Sequence, residues 1–353
     1  MNILLHDDWE IYGDGSGDPQ KLMFDPAKRL LDLCDTYCVK YTFYAEIGQQ
    51  LNMLDTPDQK WRKYANTWEA ILRDAVRRGH DVQLHFHPQW AGAKLAENQW
   101  QLNHNNWHSG HVDAELLNEW IGKGKHYLEQ LLKPINPEYQ VLSYRAGGWL
   151  CQPSSNLYNA LKNNDIVCDV SVMKGRYQKY SDGRYVDFRH AVSRFVPWEV
   201  HPDDFASEQK GSGIWELPVF TEESALPHPV YLIKKAFRPR YYYRIYQKRK
   251  LQKGSGSYYP KIVERSNIKE YYGSFGYMHY FHLYDYIKKV LNNSDKQHTE
   301  YPHIIFLTHS KSFLDFKNFE LLLKKLSSYK RIQYITTQRF IQKFIPYDKK
   351  SLP

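Results

Sequence analysis

The sequence predicts an α/β fold whose parallel strands close, or nearly close, into a barrel. Three observations carry this. Strand and helix patterns alternate along almost the whole chain, the arrangement that sets parallel strands inside and helices outside. Roughly seven strands can be counted, which suits a barrel better than an open sheet. The polar residues Asp7, Asp8, His85, His87, Arg145, Asp169 and His309 all fall at predicted strand ends, where parallel β/α barrels keep their chemistry. Core packing gives no reason for polar groups to gather there.

A chain of 353 residues can bury a large core as one domain, 1–353. Its 42% hydrophobic and 25% charged residues are those of a folded globular protein. The high aromatic share, 16%, is a weak pointer to sugar or nucleotide ligands. No apolar run is long enough to span a bilayer. Ile3-Leu4-Leu5 is too short for a signal segment. Cys34, Cys38, Cys151 and Cys168 show no C-x-x-C spacing and read as reduced thiols. Together these predict a cytoplasmic protein.

The net charge of +9 is local. No acid lies between Glu223 and Glu264, while ten Lys and Arg do, and without them the rest of the chain carries −1. This basic, Tyr-rich insertion at about 224–263 is either a solvated excursion or a membrane-surface patch. In the second reading Phe237, Tyr241, Tyr242, Tyr243 and Tyr246, interleaved with the bases of Lys234–Lys253, suit an anionic inner leaflet. No feature outside it points to nucleic acid.

In chain order, Ile3–Asp7 reads as a strand ending in acids, followed by a Gly-rich loop. Asp25-Pro26 opens a helix with Leu30, Leu31, Leu33 and Cys34 on its apolar side. Val39–Ala45 is a strand. Asp58–Arg78 is a helix, with Trp61, Ala65, Trp68, Ile71, Leu72 and Ala75 at helical spacing. After Gly79, Asp81–Pro88 is a strand that projects His85 and His87 to one face. Trp90–His111 is a polar loop, Asp113–Leu132 a helix, Gln140–Tyr144 a strand running into Arg145, and Pro153–Lys162 a helix. Ile166–Val172 and Ile214–Phe220 are strands separated by a weakly periodic stretch. Helices at Phe281–Leu291, Phe316–Leu326 and Thr337–Phe344 alternate with strands at His303–Thr308 and Gln333–Thr336.

Two imidazoles side by side are costly to bury without a shared task, and a divalent metal is the usual one; a hydrogen-bonded core pair is the alternative. Asp8 is the natural third ligand, leaving open positions as catalytic sites do. Asp7 is then available as a base, Arg145 as the cation that keeps that base ionised, and His309 as an acid for a leaving amine. This set suits hydrolysis of an unactivated amide. His309 alone is equally readable as a satisfied core histidine. Asp169 and Glu216 are weaker candidates. His6, His80, His104, His108 and His111 read as loop or surface histidines.

These residues, in this order, resemble the polysaccharide deacetylase family, the NodB-like carbohydrate esterases. Asp7-Asp8 is similar to its first motif of base and metal ligand, and Tyr41-Thr42-Phe43-Tyr44 to the strand that follows. Gly79–His85 has the second motif's approach, Ser143–Gly148 resembles the third motif, whose Arg tethers the base, Asp169 the fourth-motif acid, and Leu307-Thr308-His309 the fifth motif with its acid. The chain departs from the family pattern at three points: its histidines lie two apart rather than four, the Pro after the third-motif Arg is missing, and the fourth motif has no Trp. Gln83–Trp90 with Arg145–Trp149 resembles the branch found among bacterial O-antigen and capsule genes.

The resemblance implies a distorted (β/α)7 barrel and a divalent metal, zinc first, held by Asp8, His85 and His87. It implies Asp7, Arg145 and His309 as catalytic residues and Trp149, Asp169 and Glu216 as substrate-binding. The expected activity is removal of an N-acetyl or related acyl group from a nucleotide- or lipid-linked sugar of a surface-polysaccharide precursor, by a protein that is cytoplasmic or peripheral to the inner membrane. The alternative is a catalytically silent carbohydrate-binding protein on the same scaffold.

Overall fold

The computed structural model describes residues 1–221, 260–266, 284, 287–288, 303–313 and 316–347. The basic segment Lys234–Lys253, with its membrane reading, and most of the helix expected at Phe281–Leu291 lie outside them.

Among the described residues the core is a ten-stranded sheet. Its strands are β1 (Asn2–Trp9), β2 (Tyr41–Glu46), β3 (Asp81–Phe86), β4 (Ser143–Ala146), β5 (Cys168–Asp169), β6 (Trp198–His201), β7 (Asp204–Glu208), β8 (Trp215–Glu216), β9 (His303–Thr308) and β10 (Gln333–Tyr334). Eight run parallel, seven in the order β8-β5-β4-β3-β2-β1-β9 and β10 beside the start of β1. No ladder joins β9 back to β8 among the described residues. A single backbone hydrogen bond, Phe220 N–H to the Ile305 carbonyl at 3.2 Å, crosses from the segment after β8 to β9. The α/β class and its parallel-rich sheet are therefore as expected, with the ring drawn together at one seam rather than closed.

Helices α1 (Asp25–Thr36), α2 (Ile47–Asp55), α3 (Gln59–Arg77), α4 (Ala114–Leu132), α5 (Ser155–Asn163), α6 (Phe316–Leu326) and α7 (Thr337–Phe344) surround the sheet. α3 starts where Asp58 caps the Lys60 and Trp61 amides, and it buries the residues its periodicity selects. It stops at Gly79, whose φ of +78° a side chain rarely adopts. α1 differs from expectation at its start. A helical turn, Gln20–Phe24, runs directly into it, so Asp25 lies inside the helix and is not its cap. α2 was not foreseen. The Glu46 side chain accepts the Gly48 amide and starts it one residue after β2. The stretch read as aperiodic contains β6, β7 and two strands of a small sheet, Tyr177–Tyr180 and Tyr185–Asp187, paired with Ile262–Arg265.

The alternation of β1 decides what lies inside the ring. Trp9 packs outward on Phe24, Phe43 and Trp68, at ring centroid distances of 6.0, 5.2 and 5.6 Å. His6 and Asp8 face inward, where both meet Arg145. All four cysteines are unpaired. Among the described residues no helix is long and apolar enough to cross a membrane.

Candidate metal centre and active site

Parallel register sets Glu46 opposite His85 and His85 opposite Arg145. These side chains share one rung, at the carboxyl ends of the strands. Glu10, just past the end of β1, joins it. Glu10, Glu46, His85 and His87 are all buried and each offers a ligand atom within 4.8 Å of the others. His85 Nε2 stands 3.9 Å from Glu10 Oε2 and 4.0 Å from Glu46 Oε2; His87 Nδ1 stands 3.1 and 3.3 Å from the same two atoms. Ligands about 2.0–2.2 Å from a tetrahedral zinc sit about 3.3–3.6 Å apart, so the cage has the size of such an ion.

The tautomer of His85 points the same way. Its Nδ1–H donates to the Arg145 carbonyl at 2.9 Å, which turns Nε2 towards the cage. That Nε2 is buried and has no hydrogen-bond partner. A buried ring nitrogen with no hydrogen-bond partner is costly, and a cation held in the cage would give it one. Burial, then His85 and Lys311, hold His87 well below the usual histidine range, which keeps its ring neutral as a metal ligand would need to be. Burial, then repulsion from Glu10, pushes Glu46 well above the ordinary carboxylate range, a penalty that a cation between the two acids would relieve.

Beside the cage lies a second group. Arg145 is fully buried and donates to Asp8 Oδ1 at 2.5 Å, to His6 Nδ1 at 2.7 Å and, through Nε, to the Val170 carbonyl at 2.9 Å. Its guanidinium lies 4.0 Å over the Tyr44 ring. His6 passes the contact on to Thr337 Oγ1 at 2.8 Å. Burial alone would raise the Asp8 carboxyl, but Arg145, then His85 and His309, outweigh it and hold it below the usual range. His309 Nε2 is 3.6 Å from Asp8 Oδ2. Burial lowers His309 to about 4 although Asp8 opposes the shift. Lys311 donates to Glu10 Oε1 at 2.6 Å and to the Ile11 carbonyl at 3.0 Å.

His85, His87, Asp8, Arg145 and His309 do meet. Arg145 lies on Asp8, not on Asp7. Asp7 leaves the ring on the opposite face of β1, where it accepts the Ser310 amide at 2.7 Å and the Ser310 hydroxyl. Burial, partly offset by these bonds, pushes it up to about 7. Asp8 is occupied by Arg145, and the carboxylates against the histidines are Glu10 and Glu46. Trp149 is half-buried, its ring edge-on to His309 at 5.9 Å and under Arg176 at 4.8 Å. Asp169 and Glu216, expected to touch substrate, are fully buried opposite each other in β5 and β8. Burial pushes Asp169 up to about 6 and Glu216 well above its range; Asp169 accepts the Ser171 amide and hydroxyl, and Glu216 accepts the Val172 amide. His6 and His80, expected in loops or at the surface, are buried, His80 against Asp35 at 3.0 Å. Glu10 and Glu46 were missed, although each lies two residues beyond an inward side chain, Asp8 and Tyr44, and parity alone selects them.

No protein-family profile matches this chain, and no curated protein matches it. Solved structures do. A protein of Parabacteroides distasonis described as a glycoside hydrolase/deacetylase is similar over 96% of this chain and 69% of its own, with 11% identity and a TM-score of 0.54. A branching enzyme from Thermococcus kodakaraensis is similar over 98% of this chain and 71% of its own, with 12% identity and a TM-score of 0.51. A polysaccharide deacetylase from Mycobacterium smegmatis aligns over 97% and 88%, with 13% identity and a TM-score of 0.48. At these identities the likeness is one of fold, an α/β architecture with a central parallel-rich sheet.

Proposed function

We propose that this chain is a metal-dependent hydrolase that removes an N-acetyl or related acyl group from a nucleotide- or lipid-linked sugar of a bacterial surface polysaccharide. The observation that carries the reading is the buried Glu10–Glu46–His85–His87 cage, with its unpartnered His85 Nε2, set beside Asp8, Arg145 and His309. The names of fold neighbours add support for carbohydrate chemistry.

The cage residues fit a divalent ion; zinc is first choice, and two carboxylates with two imidazoles also suit iron, cobalt or manganese. Such an ion supplies a Lewis acid for the acyl oxygen and acidifies a water. The protein supplies the rest. Asp8, not Asp7, is the base: Arg145 keeps it ionised at neutral pH and fixes its plane. A proton captured there has a short path to His309 Nε2, 3.6 Å away, and from it to the departing amine. Trp149, beside His309, is the surface on which a sugar ring would stack. Asp169 and Glu216 place two further buried carboxyls in the electrostatic reach of Arg145.

The test combines elemental analysis with acetate release from N-acetylglucosamine oligomers and uridine-diphosphate N-acetylglucosamine. Expected is about one divalent ion per chain, lost together with turnover in a His85→Ala, His87→Ala variant. A folded protein that takes up no zinc, cobalt, nickel, iron or manganese removes the reading and leaves the silent carbohydrate-binding protein.

A further inference from the structure

Three consecutive residues after β9 dock on three acids of the β1 end. His309 approaches Asp8 at 3.6 Å, Ser310 holds Asp7 through its amide at 2.7 Å and its hydroxyl, and Lys311 holds Glu10 at 2.6 Å. The first and last of these contacts lie on the reactive side. The middle one lies on the far face of β1 and is the only one of the three made by the loop's backbone. β1 and β9 run parallel in register up to Asp7 opposite Thr308, and beyond that pair the ladder ends. Where it ends, the Asp7 carboxylate takes the Ser310 amide that a further strand partner would otherwise have taken. Ser310 is buried and begins the short helical turn Ser310–Ser312. Asp7 is thus bonded at the one point from which both His309 and Lys311 are aimed.

We propose that Asp7 is a positioning residue: through Ser310 it clamps the loop that sets His309 on Asp8 and Lys311 on Glu10. This rests on the hydrolase reading above and gives Asp7 a task other than proton transfer. Its neighbour Asp8 acts on the reaction; Asp7 acts on where the acid and the lysine stand. A loop displaced by about 1 Å is enough to cost a catalytic step about a hundredfold.

The test compares Asp7→Ala, Asp7→Asn, Ser310→Ala and the Asp7→Ala, Ser310→Ala double variant of the full chain. Its two readouts are acetate release from the N-acetylated sugar the wild type turns over best and backbone amide exchange of the 305–313 peptide in metal-free protein. A clamp predicts that Asp7→Ala and Ser310→Ala each lower kcat about 10–100-fold with little change in KM. The double variant should lose no more than the worse single one. Asn offers Ser310 the same two bonds, accepting from the amide and donating to the hydroxyl, so Asp7→Asn should recover most of the loss. Exchange at 305–313 should rise in both alanine variants. Asp7→Asn as inactive as Asp7→Ala, with Ser310→Ala near wild type, makes Asp7 the base and overturns the proposal. Unchanged exchange in Asp7→Ala overturns it with no substrate needed. A wild type without metal or turnover fails the hydrolase reading instead, while the exchange arm still reports on the clamp.

Discussion

Replacing Arg145 by Met tests the electrostatics of the site directly. The guanidinium is fully buried and makes its charge pair with Asp8, itself buried. Methionine fills much of the same volume but leaves Asp8 as an uncompensated buried charge. Breaking such a pair from one side costs about 3–5 kcal/mol, and the orphaned His6 Nδ1 and Val170 carbonyl add to it. Against a total stability of about 5–15 kcal/mol, that is a large share. The loss should depend on pH. In the wild type Asp8 lies below its usual value, so its contribution is present above the unfolded value and is lost only in strong acid. Without Arg145 the burial effect prevails and Asp8 titrates high, so the variant regains stability as pH falls from about 7 towards 4. Urea unfolding in chelator, followed by tryptophan fluorescence at pH 7.5 and 5.0, should show the deficit shrinking in acid. Adding Asp8→Asn to Arg145→Met should recover part of it. A deficit equal at both pH values, with no recovery in the double variant, would falsify the assignment of Arg145 to Asp8.

Other outcomes follow from the same geometry. Asp7 titrates in the folded chain at about 7 against 3.8 unfolded, so its contribution is full below the lower value and lost as pH rises to the upper one. The wild type should therefore lose up to about 4 kcal/mol relative to Asp7→Asn between pH 4 and 7, and a constant difference in urea unfolding across that range refutes it. A Cβ on Gly147 would lie 2.2 Å from His87 Cδ2; Gly147→Ala should turn that ring and weaken zinc binding about 10–100-fold by competition titration, and unchanged affinity excludes His87 as a ligand. Glu10→Gln should lower zinc affinity at least as much while the fold survives, as circular dichroism would show; full metal content in that variant removes Glu10 from the cage and leaves Glu46 as its carboxylate.

Much of the fold was legible because apolar periodicity reports burial directly. α6, α7 and β9 begin and end where their patterns do. α2 was hidden, since Ile47–Asp55 buries Gly48, Gln49 and Gln50, residues whose polarity and small size erase the apolar stripe; its start comes from Glu46, a strand residue acting as a cap. At the site the histidines were readable from a spacing of two, which a strand converts into one face. The acids were harder. Asp7-Asp8 as a pair invites a shared role, yet adjacent residues of an extended strand look in opposite directions, and β1 stays extended through Trp9. Ending that strand at Asp7 concealed the step from Asp8 to Glu10. Ending β2 at Ala45 concealed Glu46 by one residue. Arg145 was identified but not its partner, because a long side chain reaches past its own rung, and only the packing shows how far.

The rung that joins Glu46, His85 and Arg145 across neighbouring strands has a consequence for how such a chain can change over time. Loss or gain of one residue inside β1, β2 or β3 would exchange the two faces of that strand at a stroke. In β1 it would send His6 and Asp8 out among the helices and draw Asp7 and Trp9 into the ring. Substitutions there can be tested by selection one at a time, whereas a change of length displaces several inward polar groups and core residues together. Length is therefore free to drift in the connections and frozen within the strands, so that in any lineage carrying this centre, insertions should collect in stretches such as the loop at 12–19 and leave the spacing from His6 to Glu10 untouched.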